Sequence, residues 1–334
     1  MDYALFLTII IVLVALTFDF TNGFHDASNS ISTIVATRVL TPMQAVSWAA
    51  FFNFVALFIF DTGVAKTVGS GMIDLAQVTP PVVLAGLLGA IGWNLLTWWW
   101  KFPSSSSHAL LGGYAGAAIM NRALSVGITD GFKVVILSGW GKTFLFIFLA
   151  PVIGWLLGAG MILGTKFLAR KTHMSGKAKF FGQLQLLSSA FLSITHGGND
   201  AQKTAGIIAG ALALNSMSDF HIPYWVLTLS YVTIALGTLA GGWRIVKTMG
   251  FRLTKLDRMG GFSAESGAAM TILLATALKL PISTTHATTG SIIGIGVGGG
   301  AKVRWSLARR ILLTWILTLP GSAALGAIIV WIVR

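Results

Sequence analysis

Lys101-Phe102-Pro103-Ser104-Ser105-Ser106-Ser107-His108-Ala109 returns later in the chain as Lys279-Leu280-Pro281-Ile282-Ser283-Thr284-Thr285-His286-Ala287. In this register Pro103 falls on Pro281, His108 on His286 and Gly112 on Gly290. A second pair repeats at nearly the same spacing. Thr21-Asn22-Gly23-Phe24-His25-Asp26-Ala27 matches Thr195-His196-Gly197-Gly198-Asn199-Asp200-Ala201, which sets Asp26 on Asp200. Two polar motifs in one order, each recurring once, mark a duplicated chain. All four interrupt apolar sequence, the pattern that paired discontinuous helices leave around the polar site of a secondary transporter.

The surrounding sequence is that of a membrane protein. Of 334 residues 55% are hydrophobic and 10% charged, with a mean hydropathy of +0.80, against roughly 25% charged in soluble domains. Apolar runs near 4–18, 43–60, 81–100, 143–165, 223–243, 262–278 and 311–333 approach or reach the roughly 20 residues that cross a bilayer. The first lacks a basic n-region and has Asp2 in its place, so it reads as a span rather than a cleaved signal. Trp98-Trp99-Trp100 suits interfacial anchoring. Without cysteine, disulfide and thiolate chemistry are excluded.

The net charge of +13 is topogenic rather than a nucleic-acid footprint. Lys166, Arg170, Lys171, Lys177 and Lys179 form one group, Arg244, Lys247, Arg252, Lys255 and Arg258 a second, and Lys302, Arg304, Arg309 and Arg310 a third. They flank apolar spans, as cytoplasmic loops do. The segments holding Asp61 and Asp74, and Asn215 to His221, carry little positive charge and are expected outside.

The expected fold is therefore an all-α polytopic membrane protein of two inverted-topology repeats, with broken helices and two re-entrant helical hairpins. Residues 1–165 form the N-terminal repeat, 166–179 a basic cytoplasmic linker and 180–334 the C-terminal repeat. Segments 28–41, 109–120 and 199–214 are short or polar for a span, and 109–120 is too short for a roughly 30 Å core at about 1.5 Å rise per residue. It reads as half of a hairpin broken at Pro103 to Ser107, with a counterpart after Pro281. Close helix packing explains most glycines; Gly23 and Gly197-Gly198, beside the repeated Asp, read as chain breaks.

Each motif implies a ligand chemistry. Proline suits a helix start and Ser and Thr suit N-caps. A helix starting inside the membrane leaves N–H donors that need a partner there, and an anion supplies one. Ser104, Ser105, Ser106 and Ser107, faced by Ser283, Thr284 and Thr285, are candidate donors to a tetrahedral oxyanion. The bland alternative is that these hydroxyls only bond buried backbone. Carboxylates inside a membrane are functional by default, and Asp26 and Asp200 would repel an oxyanion unless cations lay between. Na+ would draw on Asn22, Gly23, Asp26, Thr195, Gly197, Asn199 and Asp200, with Asn29 and Lys203 beside the anion. Proton exchange at the aspartates, with His25 or His196 as partners, is the other coupling, and an Asp200–Lys203 ion pair the structural alternative. His108 and His286 read as hydrogen-bonding braces of the hairpin tips. Glu265, the sole glutamate, is a further cation ligand or a packing group. Lys101 and Lys279 read as snorkelling to an interface. A hydrolase is disfavoured, since no G-x-S-x-G elbow is present.

At these residues the chain resembles the inorganic phosphate transporter family. Asp19-Phe20-Thr21-Asn22-Gly23-Phe24-His25-Asp26-Ala27-Ser28-Asn29 is similar to the family's N-terminal signature, with His25 where the general pattern has Asn. Gly197-Gly198-Asn199-Asp200-Ala201-Gln202-Lys203-Thr204 resembles its C-terminal copy. The resemblance implies inverted repeats and cation-coupled uptake of inorganic phosphate, with Na+ or H+ as coupling ion and no other cofactor. Metal–phosphate and sulfate are substrates within the wider family. The expectation is a multi-pass protein of a bacterial inner membrane, a phosphate/Na+ symporter, with a homodimer left open and an anion channel as the competing class.

Overall fold

The structure is a computed structural model that describes residues 3–171, 176–216 and 220–333. Asp2, residues 172–175 of the expected linker and residues 217–219 of the segment expected outside fall beyond it. The described chain is helical, without a β-strand. Its elements are α1 (Tyr3–Ala36), α2 (Pro42–Val55), α3 (Gly63–Ser70), α4 (Pro80–Trp99), α5 (Ser106–Val126), α6 (Ile128–Gly131), α7 (Leu137–Lys171), α8 (Lys177–Ser216), α9 (Tyr224–Ala240), α10 (Trp243–Lys247), α11 (Arg258–Ala277), α12 (Thr284–Gly299) and α13 (Trp305–Val333). A π-helical turn, Thr248–Arg252, extends α10. Among the described residues four helices are long and apolar enough to cross a membrane, or up to six if each of two bent pairs counts as one span.

One order of elements appears twice. A long helix (α1, α8) leads to a bent pair, α2–α3 at 85° and α9–α10 at 58°. A helical hairpin follows, α4–α5 and α11–α12, and then a long helix with an internal proline, Pro151 in α7 and Pro320 in α13. Contacts between the two sets are reciprocal: α5 lies on α13 and α12 on α7, α1 on α9 and α8 on α2. Reciprocity of this kind is what a two-fold relation imposes. α7 and α13 turn large apolar side chains outward, among them Phe144, Phe148, Leu312 and Ile316, whereas α5 is buried from Ser106 to Ala118.

The hairpin turns follow one local recipe. Helix α4 closes with Phe102 N–H donating to Thr97 O and Lys101 N–H to Trp98 O; α11 closes with Leu280 N–H to Ala275 O and Lys279 N–H to Thr276 O. These are paired Schellman bonds, which need a left-handed residue after the last turn. Lys101 (φ 65°) and Lys279 (φ 60°) supply it although neither is glycine. Both lysines are exposed, as snorkelling requires. A proline two residues later blocks helical continuation. Ser105 then caps α5 by accepting from His108 N–H at 3.2 Å, and Ser283 caps α12 by accepting from His286 N–H at 3.1 Å. Each turn is held by the bent element of the other set: Thr248 Oγ1 donates to Lys101 O at 3.2 Å and Thr67 Oγ1 to Lys279 O at 2.8 Å.

Two expectations are corrected. Segments 28–36 and 199–214 are not separate short spans but the polar ends of α1 and α8, and 109–120 is the middle of a 21-residue helix. Neither Gly23 nor Gly197-Gly198 breaks its helix. They are sites of close approach: a Cβ on Gly23 would lie 2.3 Å from Ile234 O, one on Gly197 2.5 Å from Asn53 O, and one on Gly198 2.2 Å from the Phe60 ring. The chain needs the missing side chain there, not the extra backbone freedom.

Gly23 faces α9, and Gly237 returns the contact with its Cβ position 2.2 Å from Phe20 O. Gly23→Ala and Gly237→Ala should each cost about 1–3 kcal/mol by overpacking and lower the thermal midpoint of the detergent-purified protein. A midpoint unchanged in both variants would show that α1 and α9 are not in this contact.

Candidate functional site at the hairpin tips

The polar middle of α1 and that of α8 meet beneath the starts of α5 and α12. One ligand atom each from Asp26, His196 and Asp200 lies within 4.8 Å of the others, and all three residues are buried. The two repeated carboxylates, distant in sequence, thus face one volume.

Position by position, the two copies do related work. His25, just before Asp26, reaches its own hairpin: Nε2 lies 3.2 Å from Thr97 Oγ1 and 3.3 Å from Ser104 Oγ, which are themselves 2.8 Å apart. Asn199, just before Asp200, does the same through Nδ2 to Thr276 Oγ1 at 2.9 Å and Leu280 O at 3.1 Å, while its Oδ1 accepts from Ile282 N–H at 3.3 Å. Three residues after each aspartate the reach is to the opposite hairpin. Asn29 Nδ2 donates to Thr285 Oγ1 at 3.0 Å and Thr284 Oγ1 at 3.3 Å. Lys203 Nζ donates to Ser107 Oγ at 2.5 Å, and Ser107 is the partner of Thr285 in the repeat register.

Lys203 also donates to Asp200 Oδ1 at 2.5 Å and Ile282 O at 2.7 Å. The Asp200–Lys203 pair is therefore present, and Thr284 Oγ1 adds a bond to Asp200 Oδ2 at 3.2 Å. Asp26 is contacted by His25 Nδ1 at 2.8 Å. His196 spans the site edge, with Nε2 3.3 Å from Asp200 Oδ2 and Nδ1 3.2 Å from Asn53 Oδ1.

Several assignments change in consequence. Of the four serines in the first tip, Ser104, Ser105 and Ser107 are already engaged, and Ser106 Oγ is buried without a partner. Ser283 is spent on its cap. Thr195 Oγ1 bonds Leu192 O within its own helix, and Asn199 has no free oxygen. The carbonyls of Gly23 and Gly197 belong to unbroken helices, so the expected ligand role of unwound backbone does not arise. The oxygens left over are Asn22 Oδ1 and Asn29 Oδ1, buried and unpartnered. His108 and His286 meet each other ring to edge, centroids 4.7 Å apart, rather than by a hydrogen bond, and His286 stacks on Trp315 at 3.9 Å. Glu265 sits in a separate buried network, accepting from Thr33 Oγ1 (2.6 Å), Gln185 Nε2 (2.9 Å) and Ser188 Oγ (2.5 Å).

Sequence reading missed Asp19, Asn53 and Thr97 as parts of this site. Asp19 is fully buried and accepts from Thr204 Oγ1 at 2.9 Å. Lys203 pairs directly with Asp200, and Asp26 lies beside Asp200. Two carboxylates beside one ammonium leave an excess of negative charge in a low-dielectric interior, where it is costly unless cations offset it.

Membrane-length helices converging on paired buried carboxylates beneath two capped helix starts define a membrane transport protein. The chain belongs to the phosphate transporter family, whose sequence model matches residues 22–180 and again 169–326. It is similar to a probable low-affinity inorganic phosphate transporter of Rhizobium meliloti (strain 1021), 47% identical over 321 residues that make up 95% of this chain and 94% of that one. A protein of the same description from Bacillus subtilis (strain 168) is 42% identical over 339 residues, covering 100% and 99% of the two chains. A solved structure described as the sodium-dependent phosphate transporter superposes with a TM-score of 0.83 at 25% identity, over 98% of each chain. Family and relatives are transporters, not enzymes. The resemblance drawn from the four motifs is borne out.

Because Asn199 braces the α11–α12 turn through three bonds, Asn199→Ala should leave Ile282 N–H and Leu280 O without their partner. Stranding a buried group costs about 1–3 kcal/mol. The expected outcome is a clearly lowered unfolding midpoint in detergent; an unchanged midpoint would remove the bracing role.

Proposed function

We propose that this protein takes up inorganic phosphate together with Na+ by alternating access, as a multi-pass protein of a bacterial inner membrane. Two inverted repeats, residues 1–165 and 180–334, joined by the basic stretch 166–179, carry the two hairpins. The observation that supports this best is the convergence of Asp26 and Asp200 beneath both hairpin tips. Phosphate lies between the starts of α5 and α12, taking its hydroxyl donors from Ser106 and Thr285, with Ser107, Thr284, Asn29 and Lys203 lining the site in contacts of their own. Cationic charge between it and the aspartates offsets the repulsion. A hard, oxygen-preferring cation suits Asp26, Asn22 and Asn29. The likeness to a sodium-dependent transporter structure also favours Na+.

Proton coupling is the second reading, favoured by the histidine beside each aspartate, His25 on Asp26 and His196 on Asp200. Imidazole is the side chain that titrates nearest neutrality. Phosphate uptake into proteoliposomes under imposed Na+ or pH gradients separates the two. Saturable uptake driven by Na+ at constant pH is the expected result. Acid-driven uptake that ignores Na+ would transfer the coupling to protons, and linear flux indifferent to both would indicate a channel.

Asp26→Asn and Asp200→Asn should each abolish coupled uptake; Asp26→Asn should leave the unfolding midpoint in place, while Asp200→Asn, which strands the buried Lys203 ammonium, should lower it without preventing folding. Full Na+-stimulated transport by both variants would remove the aspartates from the coupling site. In the anion half, Ser106→Ala combined with Thr285→Ala should weaken equilibrium phosphate binding. At about 1.5–3 kcal/mol per bond to a charged group, the expected loss is at least about ten-fold per hydroxyl. Phosphate affinity unchanged in the double variant would place the anion elsewhere.

A further inference from the structure

We infer that the Lys203 ammonium is a built-in substitute for one of two exchangeable cations, so that the copy of the site around Asp200 is permanently filled and only the copy around Asp26 takes an ion from solution. This rests on the reading of the site as a place where cations bridge phosphate to the two aspartates.

The two copies place equivalent residues at equivalent tasks. Asn29 and Lys203 each follow their aspartate by three residues and each reaches the opposite hairpin, Asn29 to Thr285 and Lys203 to its register partner Ser107. They differ in charge. Lys203 Nζ is surrounded by three oxygens, Asp200 Oδ1 at 2.5 Å, Ser107 Oγ at 2.5 Å and Ile282 O at 2.7 Å. Those are a carboxylate, a hydroxyl and a carbonyl, the donor set that a small monovalent cation takes from a protein. An ammonium has three N–H donors, and all three are used. The residue is fully enclosed, 1% exposed, and is not snorkelling to an interface.

Asn29 brings no charge, and its Oδ1 remains buried and unpartnered, as does Ser106 Oγ, the register partner of Thr284. Thr284 bonds Asp200 Oδ2. The tip hydroxyl that is bonded to its aspartate in one copy is thus unbonded in the other. Among the described residues, the other titratable groups around the site are His25 on Asp26, His196 on Asp200, Asp19 bonded to Thr204, and His108 in the first turn of α5. None supplies Asp26 with the fixed positive charge that Asp200 has.

Lys203→Asn makes the second copy like the first, and Asn29→Lys makes the first like the second. Equilibrium binding of radiolabelled phosphate to the purified full-length protein should be measured across Na+ concentrations at fixed pH, with choline holding ionic strength constant. The slope of log affinity against log Na+ counts the ions taken up with phosphate. Lys203→Asn should raise that slope by about one, weaken binding at low Na+ by on the order of ten-fold or more, and recover it at high Na+. Asn29→Lys should lower the slope by about one. Wild-type slopes in both variants would overturn the inference, as would a Lys203→Asn protein whose phosphate binding, or whose unfolding midpoint, no Na+ concentration restores. A wild-type protein that ignores Na+ while Lys203→Asn acquires a Na+ requirement would sink sodium coupling in the native protein and still support the substitution of ion by ammonium.

Discussion

A polypeptide inside a lipid bilayer has no water with which to satisfy its backbone, and this constraint shapes the whole molecule. Six residues between α4 and α5, and six between α11 and α12, leave the helical ladder and run from an exposed lysine into a buried tip. Each turn answers the constraint with the same parts: Schellman bonds at its entry, a cap serine at its exit, and a threonine from the other set on its outermost carbonyl. Even Pro103 O is met, by Trp315 Nε1–H at 3.1 Å. At the site itself, Ser106 Oγ at one tip and Asp19 Oδ2, Asn22 Oδ1 and Asn29 Oδ1 on α1 remain buried without partners. That residue of unmet polarity is what a transported ion and anion can address.

The hairpins were legible in the sequence because their signals are local. Proline, a cap hydroxyl and a lysine at the helix end lie within nine residues of one another, and duplication doubled the signal. The facing of Asp26 and Asp200 was legible for the same reason. The glycines beside them were not. A glycine in a polar motif has two physical explanations, backbone freedom or close approach, and only the position of Ile234 or Asn53 decides between them. The length of α5 was misjudged because its polar, glycine-rich face looks like the end of a span until it is buried against α4 and α13.

Asn53 and Thr97 were invisible for a different reason. Each is a single polar residue in an apolar run, and such residues are usually satisfied by their own helix. Thr97 Oγ1 does contact Trp93 O at 3.0 Å, and its link between His25 and Ser104 appears only when α1 and α4 are brought together. Asp19 was legible: a carboxylate at the end of the first apolar run is a functional signal by itself, and it stands within the motif that carries the family resemblance.

The glycine contacts also determine which pieces of the protein can separate. Gly116 of α5 packs on the backbone of Ala323 in α13, and Gly294 of α12 on that of Trp155 in α7, so closely that a Cβ on either glycine would overlap the carbonyl oxygen it faces. Backbone fitted directly to backbone has no side-chain layer in which to slide. The inner arm of each hairpin is therefore mated to the outer helix from the other half of the chain. A rearrangement that opens the site to one side of the membrane must carry α5 with α13 or α12 with α7 as a unit, so the mechanical halves of this molecule are not its genetic halves.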